Sequence, residues 1–452
     1  MFIGREYELQ TLEDLWNRKG FQFIPIYGRR RVGKTSLIER FAEGKRSIIF
    51  TAVPGKEEIN LSLFNQEITG SEEPVPMNRS LERIEEISNG ERLLLVIDEY
   101  PNLIQDAKHI PGMINNFIER YKDASNIFLI LCGSSMSVME NEVLGKKSPL
   151  YGRRTGQIKL HPFSFRQSLD LIPYGDPKDQ VEVYGLVGGI PYYLEQFDPE
   201  RDLEKDIKDN YLRPSSVIAG EAELIFVTEF RKPATYYSVM HALGSGKHTV
   251  SEIAIDCNMD ADNVSHALEV LEGLNMIQSK HPYGKHGGKK TSYFISDNYL
   301  SSHFKFVYPR FVDLRPEQME RAYSYMKEHM PEYLGHVFKD ICMEFVRDAG
   351  YWNVSSWWDK HDEIDIVADG EGVVLFAECK YRNELTDADL IDDLIRKSDK
   401  VEIPKGTKRA YAIFSKSGYT RVAEAKAKDL GVEMLSLEDI VAGKYELLVM
   451  KK

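Results

Sequence analysis

Phe21-Gln-Phe-Ile-Pro-Ile-Tyr27-Gly28-Arg29-Arg30-Arg31-Val32-Gly33-Lys34-Thr35-Ser36 decides the fold. Its first seven residues form an apolar run of strand length, and residues 28–35 fit G-x-x-x-x-G-K-[ST] without mismatch. A helix is expected to start near Lys34. Strand, glycine loop and helix together make a phosphate cradle: the glycines let the backbone curl so that N–H groups converge, and the helix adds the positive end of its dipole. Gly28, Arg29, Arg30, Arg31, Val32, Gly33, Lys34, Thr35 and Ser36 are thus the expected nucleotide contacts for ATP or ADP. Lys34 would reach the β- and γ-phosphates, and the Thr35 hydroxyl would ligate Mg²⁺.

Outward from this loop, residues 46–51, 92–97 and 127–132 read as further strands. Continuous apolar runs of this length suit parallel strands buried on both faces, and their alternation with helices predicts a doubly wound α/β sheet. Asp98-Glu99 ends the 92–97 run, roughly 60 residues beyond the loop. There Asp98 would hold Mg²⁺ in its outer shell, and Glu99 would orient and activate an attacking water. The 127–132 run ends in Gly133-Ser134-Ser135, where Ser134 or Ser135 is placed to sense a γ-phosphate. Arg153 or Arg154 would neutralise transition-state charge, either in cis or across a boundary to a neighbouring subunit of a homo-oligomer.

Composition bounds the rest. The chain has 452 residues and a net charge of −13, with 58 Lys+Arg against 71 Asp+Glu, so any DNA contact must come from a local basic patch. The four cysteines, Cys132, Cys257, Cys342 and Cys379, are far apart and include no C-x-x-C pair, which argues against structural zinc and a disulfide framework. The opening Met-Phe-Ile-Gly-Arg-Glu leads into a charged amphipathic helix with no secretory leader. No apolar stretch approaches the ~18 residues of a membrane span. A soluble, cytoplasmic protein with no membrane contact is expected.

Residues 249–254, a turn near Asn258 and residues 260–274 have the order of a helix-turn-helix, and residues 283–290 the character of a wing tip. Asp260, Asp262, Glu269 and Glu272 on the second helix would repel phosphate, whereas Lys285, His286, Lys289 and Lys290 could touch a DNA backbone. Near the C-terminus, Glu378 and Lys380 lie two apart on one expected strand and so face one side, with Asp365 on the strand before. Two carboxylates that ligate Mg²⁺ beside a lysine suit metal-assisted phosphodiester hydrolysis.

Phe2-Ile-Gly-Arg-Glu6, the R-R-x-G-K-T loop, I-D-E-Y-P, C-G-S-S, L-Y-G-R-R-T and G-G-I-P-Y-Y together resemble the archaeal-type ATPase family, in the STAND-like branch of the AAA+ ATPases. The likeness covers roughly residues 1–310. It implies that Gly4 and Arg5 lie near the adenine, that one of Arg153 and Arg154 meets phosphate, and that residues 188–191, including Pro191, belong to a helical lid. It also implies a nucleotide-driven switch with slow hydrolysis. Residues 331–452 resemble the PD-(D/E)XK nuclease fold, in a C-terminal domain of unknown function often fused to such ATPases. Relatives carry a glutamate where Lys339 follows Phe338, and Asp340 or Glu344 would have to substitute for it.

The expected organisation is a P-loop AAA+-like core (1–165), a helical lid (166–220), a winged helix (221–310), a connector (311–330) and a restriction-endonuclease-like α/β domain (331–452). The leading functional expectation is a Mg²⁺-dependent ATPase switch coupled to a nuclease-like effector in DNA processing or defence, with ATP as ligand and DNA as partner through the wing and C-terminal domain. The alternatives are a signalling or scaffold ATPase whose C-terminal domain cuts nothing, and an ATP-gated DNA-binding regulator.

Overall fold

The computed structural model of the chain describes residues 2–284, 291–308 and 315–448. The chain divides into two compact units, Met1–Pro162 with Ile190–Tyr192, and Phe163–Gly189 with Tyr193–Lys452.

The first unit is built on five parallel strands: β1 (Gln22–Gly28), β2 (Ser47–Thr51), β3 (Leu93–Asp98), β4 (Ile127–Gly133) and β5 (Ile158–Leu160), in the order β2-β3-β4-β1-β5. Every residue of β1, β3 and β4 is buried, which is why these strands read as unbroken apolar runs. Edge strand β2 has one buried residue, Phe50. β5 pairs with the last three residues of β1. On one face, Trp16, Phe41 and Phe128 meet with centroids 5.4–5.8 Å apart. On the other, Phe50 packs on Phe64 at 5.1 Å.

In the second unit, helix Val250–Cys257 begins at a capping box, in which Thr249 accepts from the Glu252 N–H and Glu252 accepts from the Thr249 N–H. Asn258, at φ 49°, turns the chain into helix Ala261–Gly273, and β6 (Ile277–Lys280) pairs antiparallel with β7 (Ser292–Ile295). The expected helix, turn, helix and ribbon are therefore present. The basic tip residues Lys285, His286, Lys289 and Lys290 lie outside the described residues. Asp260, Asp262 and Glu269 are exposed, and Glu272 accepts from the Ser279 N–H at 2.8 Å.

Residues 316–330 of the expected connector and the opening residues of the expected C-terminal domain are one element, Pro316–Asp348, 33 residues long with Pro331 inside it. Buried Ala322, Met326, Met330, Leu334, Val337 and Ile341 keep a helical period across Pro331, and this stripe outweighs the one backbone bond that proline forgoes. Beyond it lies a mixed sheet in the order β12-β11-β10-β9-β8, with β8 (Trp352–Trp358), β9 (Glu363–Gly370), β10 (Val373–Lys380), β11 (Lys408–Ser415) and β12 (Val432–Ser436). β8, β9 and β10 pair antiparallel, and β10, β11 and β12 parallel. The chain after β6 docks on this sheet, where the Tyr283 N–H donates to the Ser356 carbonyl at 2.8 Å and its hydroxyl to Asp369, and Lys280 of β6 pairs with Asp340 of the long helix at 3.0 Å.

Glu344, on the long helix, accepts from the Phe165 N–H at 2.9 Å, and burial pushes its carboxyl up to about 7. Between the unfolded value of about 4.3 and pH 7 the folded chain holds the extra proton, so this group's contribution to stability falls as pH rises through that window. Glu182, also pushed up to about 7 by burial, acts with the same sign. Glu344→Gln keeps the acceptor and removes the charge. It is expected to stabilise the chain at pH 8 by up to about 3 kcal/mol and to leave stability at pH 4 nearly unchanged, read from thermal melts at both pH values.

Candidate functional site

The site starts where β1 ends. A Cβ on Gly28 would lie 2.4 Å from the Leu160 carbonyl oxygen on β5, so only glycine allows the strand to pass at this point. The chain then curls through left-handed backbone at Arg31 (φ 65°) and Gly33 (φ 95°). Helix Lys34–Ala42 follows with no side chain capping its start, so its first-turn N–H groups face the loop. The buried Lys34 ammonium donates to the carbonyls of Gly28 and Arg29, both at 3.0 Å. Arg29 and Val32 are buried, while Arg30, Thr35 and Ser36 are exposed.

Two further segments brace the loop. Arg5 follows Gly4 in left-handed backbone and donates to the carbonyls of Val32 (3.0 Å) and His161 (2.7 Å). Burial holds its pKa below the usual arginine value, with Glu8 acting the other way. The Arg31 guanidinium lies 4.5 Å from the ring centre of Tyr192, the residue after Pro191. Tyr192 had no role in the sequence reading; the signal was its place in the G-G-I-P-Y-Y run.

β4 lies between β1 and β3, so the ends of all three converge. The Thr35 hydroxyl donates to Asp98 Oδ2 at 3.2 Å, and Asp98 Oδ1 accepts from the Glu99 N–H at 2.8 Å. Glu99 itself is left-handed (φ 48°), and its Oε2 accepts from the Ser134 hydroxyl at 2.8 Å. Of the two serines, Ser134 is the one bonded to Glu99. Ser135 is buried and its hydroxyl lies 3.3 Å from that of Ser137. The facing Thr35 hydroxyl and Asp98 carboxylate are hard oxygen donors that fit Mg²⁺.

The two arginines part company. Arg153 donates to Asn115 Oδ1 at 2.9 Å and pairs with Glu119, both on helix Ile110–Tyr121. Arg154 is exposed and makes no hydrogen bond or ion pair among the described residues. Its charge is close enough to act on the Tyr27 hydroxyl, one residue before Gly28.

The C-terminal residues come together as a hairpin requires, but with cations among them. Lys380 Nζ is 2.7 Å from Glu378 and 3.8 Å from Asp365, and Lys339 Nζ is 3.0 Å from Asp365 and 2.8 Å from Glu363. Lys397, unremarked in the sequence, reaches Glu378 at 3.3 Å from the last turn of helix Asp389–Ser398. Burial would raise Asp365, but Lys339 and Lys380 outweigh it and hold the carboxyl low. Burial and Asp365 raise Glu378. Asp340 and Glu344 do not complete an acidic cluster here: one pairs with Lys280 and the other holds the Phe165 N–H. Among the described residues no three His, Cys, Asp or Glu side chains are grouped to hold a metal.

Residues 2–197 match the model of an ATPase domain predominantly from Archaea, and residues 303–391 a domain of archaeal and bacterial proteins of unknown function. An uncharacterized protein of Methanocaldococcus jannaschii is 32% identical over 433 residues, 92% of this chain and 96% of that protein. The chain belongs to the archaeal ATPase family. An uncharacterized ATP-binding protein of the same organism is 52% identical over 46 residues, 10% of this archaeal ATPase chain and 78% of that protein. The Walker-type ATPase of Pyrococcus abyssi has a TM-score of 0.53 and 18% identity, over 67% of this chain and 96% of that one, and shares its fold. The first unit of this archaeal ATPase is a nucleotide-binding P-loop domain. Among the described residues no helix is long and apolar enough to cross a membrane.

Lys34→Ala removes the ammonium that lies across the loop. ATP affinity is expected to drop at least about tenfold, roughly 1.4 kcal/mol, in titration calorimetry. Unchanged binding would contradict this placement of the phosphates.

Proposed function

We propose that the chain is a magnesium-dependent, ATP-hydrolysing switch whose nucleotide state acts on the C-terminal domain as its effector. One observation carries this reading: the unbroken run of hydrogen bonds from Thr35 through Asp98 and Glu99 to Ser134. It ties the start of the phosphate-facing helix to a carboxylate at the end of β3 and a hydroxyl one residue past β4. Thr35 and Asp98 would hold Mg²⁺, which supplies charge neutralisation at the phosphates. Glu99 would accept a proton from the attacking water, with Ser134 fixing the carboxylate that does so. Lys34 would leave the Gly28 and Arg29 carbonyls for the phosphates. Gly4, Arg5 and Pro191 would line the nucleotide by bracing the loop around it. DNA is the candidate partner of the effector, and the unpaired Arg154 the candidate group for meeting phosphate in cis or in a homo-oligomer.

A second reading is favoured by the ion pairs of the C-terminal site: the domain binds its partner and cuts nothing. Its carboxylates are already matched by ammonium groups, an arrangement that keeps a fold charged and ordered without an activated water. A labelled DNA panel with Mg²⁺ or Mn²⁺, with and without ATP, separates the two. Cleavage abolished by Lys380→Ala favours the effector nuclease, and salt-dependent binding without cleavage favours the binding module.

Glu99→Gln keeps shape and hydrogen bonding but loses the base. ATP is expected to bind within about threefold of wild type while turnover falls by roughly a hundredfold or more, measured as phosphate release. A wild-type rate would remove Glu99 from the water-positioning role.

Arg154→Ala is expected to slow hydrolysis at least about tenfold with the melting temperature unchanged, because it breaks no ion pair. Arg153→Ala is expected to do the reverse, lowering stability by about 0.5–1 kcal/mol through its Asn115 and Glu119 partners while turnover persists.

A further inference from the structure

We infer that Lys339 is a built-in cation that closes the C-terminal carboxylate site to divalent metal, and that replacing it by glutamate opens the site to a hard divalent ion. The inference deepens the binding-module reading of this domain and rests on it.

Each acidic group at the site already has a partner. Lys339 sits 3.0 Å from Asp365 Oδ1, and the other Asp365 oxygen accepts from the Cys379 N–H at 3.0 Å. Glu378, almost wholly buried, has Lys380 at 2.7 Å on Oε2 and Lys397 at 3.3 Å on Oε1. A divalent ion would have to displace an ammonium from each carboxylate it bound. Lys339, half-buried on helix Pro316–Asp348, is held from two sides, by Asp365 at 3.0 Å and by Glu363 at 2.8 Å. A lysine ammonium is charged at neutral pH without help from its neighbours.

A divalent ion needs two or three converging oxygens of net negative charge, and its affinity follows the number of ligand charges. Asp365 and Glu378 provide two carboxylates, and Lys339 Nζ lies 3.0 Å from Asp365, so a carboxylate carried at that position falls beside the first of them. Changing that position from an ammonium to a carboxylate alters the local charge by two, removes the ammonium on Asp365 and adds an oxygen ligand in one step, while Lys380 and Lys397 stay on Glu378.

The test is an electron paramagnetic resonance titration of the full chain with Mn²⁺ alone, without nucleotide, on wild type, Asp365→Asn, Lys339→Glu and Lys339→Glu with Asp365→Asn. Differences between pairs cancel any weak Mn²⁺ binding elsewhere. Wild type and Asp365→Asn are expected to titrate identically. Lys339→Glu is expected to gain a further Mn²⁺ site, roughly tenfold or more tighter than any residual binding, and to lose it with Asp365→Asn. A wild-type Mn²⁺ site that disappears in Asp365→Asn overturns the inference, and that comparison stands even if Lys339→Glu fails to fold. A folded Lys339→Glu chain, by circular dichroism, that gains no site overturns it as well. DNA cleavage by wild type in excess chelator would refute the binding-module reading and leave this inference intact, so the two failures are distinct.

Discussion

The nucleotide site depends on the burial of β1. All seven of its residues are out of water, held between β4 and β5, and its last residue passes the Leu160 carbonyl too closely for any side chain. A strand fixed this firmly delivers Gly28 to one place. The chain must then reverse into a helix within a few residues, and it does so through the left-handed backbone at Arg31 and Gly33. The phosphate cradle is the geometric consequence of a rigid strand, a forced reversal and an uncapped helix start. Thr35 and Asp98 meet across β4, with β3, two strands from β1, likewise fully buried.

The second unit works on a different principle. Its helix-turn-helix segment, ribbon and mixed sheet are joined by polar contacts at their margins, such as Lys280 with Asp340 and Tyr283 with Ser356 and Asp369. Within the unit Lys280 and Tyr283 of this segment hold the C-terminal domain, while Asp262 and Glu269 of helix Ala261–Gly273 are exposed. Charge in the C-terminal sheet domain is handled in clusters, as where Asp362 meets both Arg396 and Lys400. In the carboxylate cluster of β9 and β10, Lys339 and Lys397 from two helices and Lys380 from β10 itself supply the neutralisation.

Legibility in the sequence followed burial. β1, β3 and β4 were readable because strands buried on both faces must be apolar at every position. β5 was not, since Ile158-Lys-Leu160 is too short to carry a period and is a strand only because β1 offers it an edge. The boundary expected at 330/331 falls inside the long helix, because the buried stripe that carries the helix through it is a tertiary fact. At the C-terminal site, the spacing of Glu378 and Lys380 fixed their common face. The contribution of Lys397 could not be read, as it arrives from a helix 19 residues later in the chain. The choice between Arg153 and Arg154 was open for a similar reason: neighbours in sequence differ only through Asn115 and Glu119.

Helix Pro316–Asp348 has one more implication. It is about 50 Å of continuous backbone, at 1.5 Å per residue. Near its middle the Tyr333 hydroxyl donates to the Gly185 carbonyl, and Glu344 holds the Phe165 N–H, while Lys339 on the same rod grips Asp365. Segments drawn from residues 163–189 and from the C-terminal sheet are therefore bolted to one shaft. Tyr333, Lys339 and Glu344 fall within about three turns of one another, so a displacement of either segment loads the same short stretch of helical backbone.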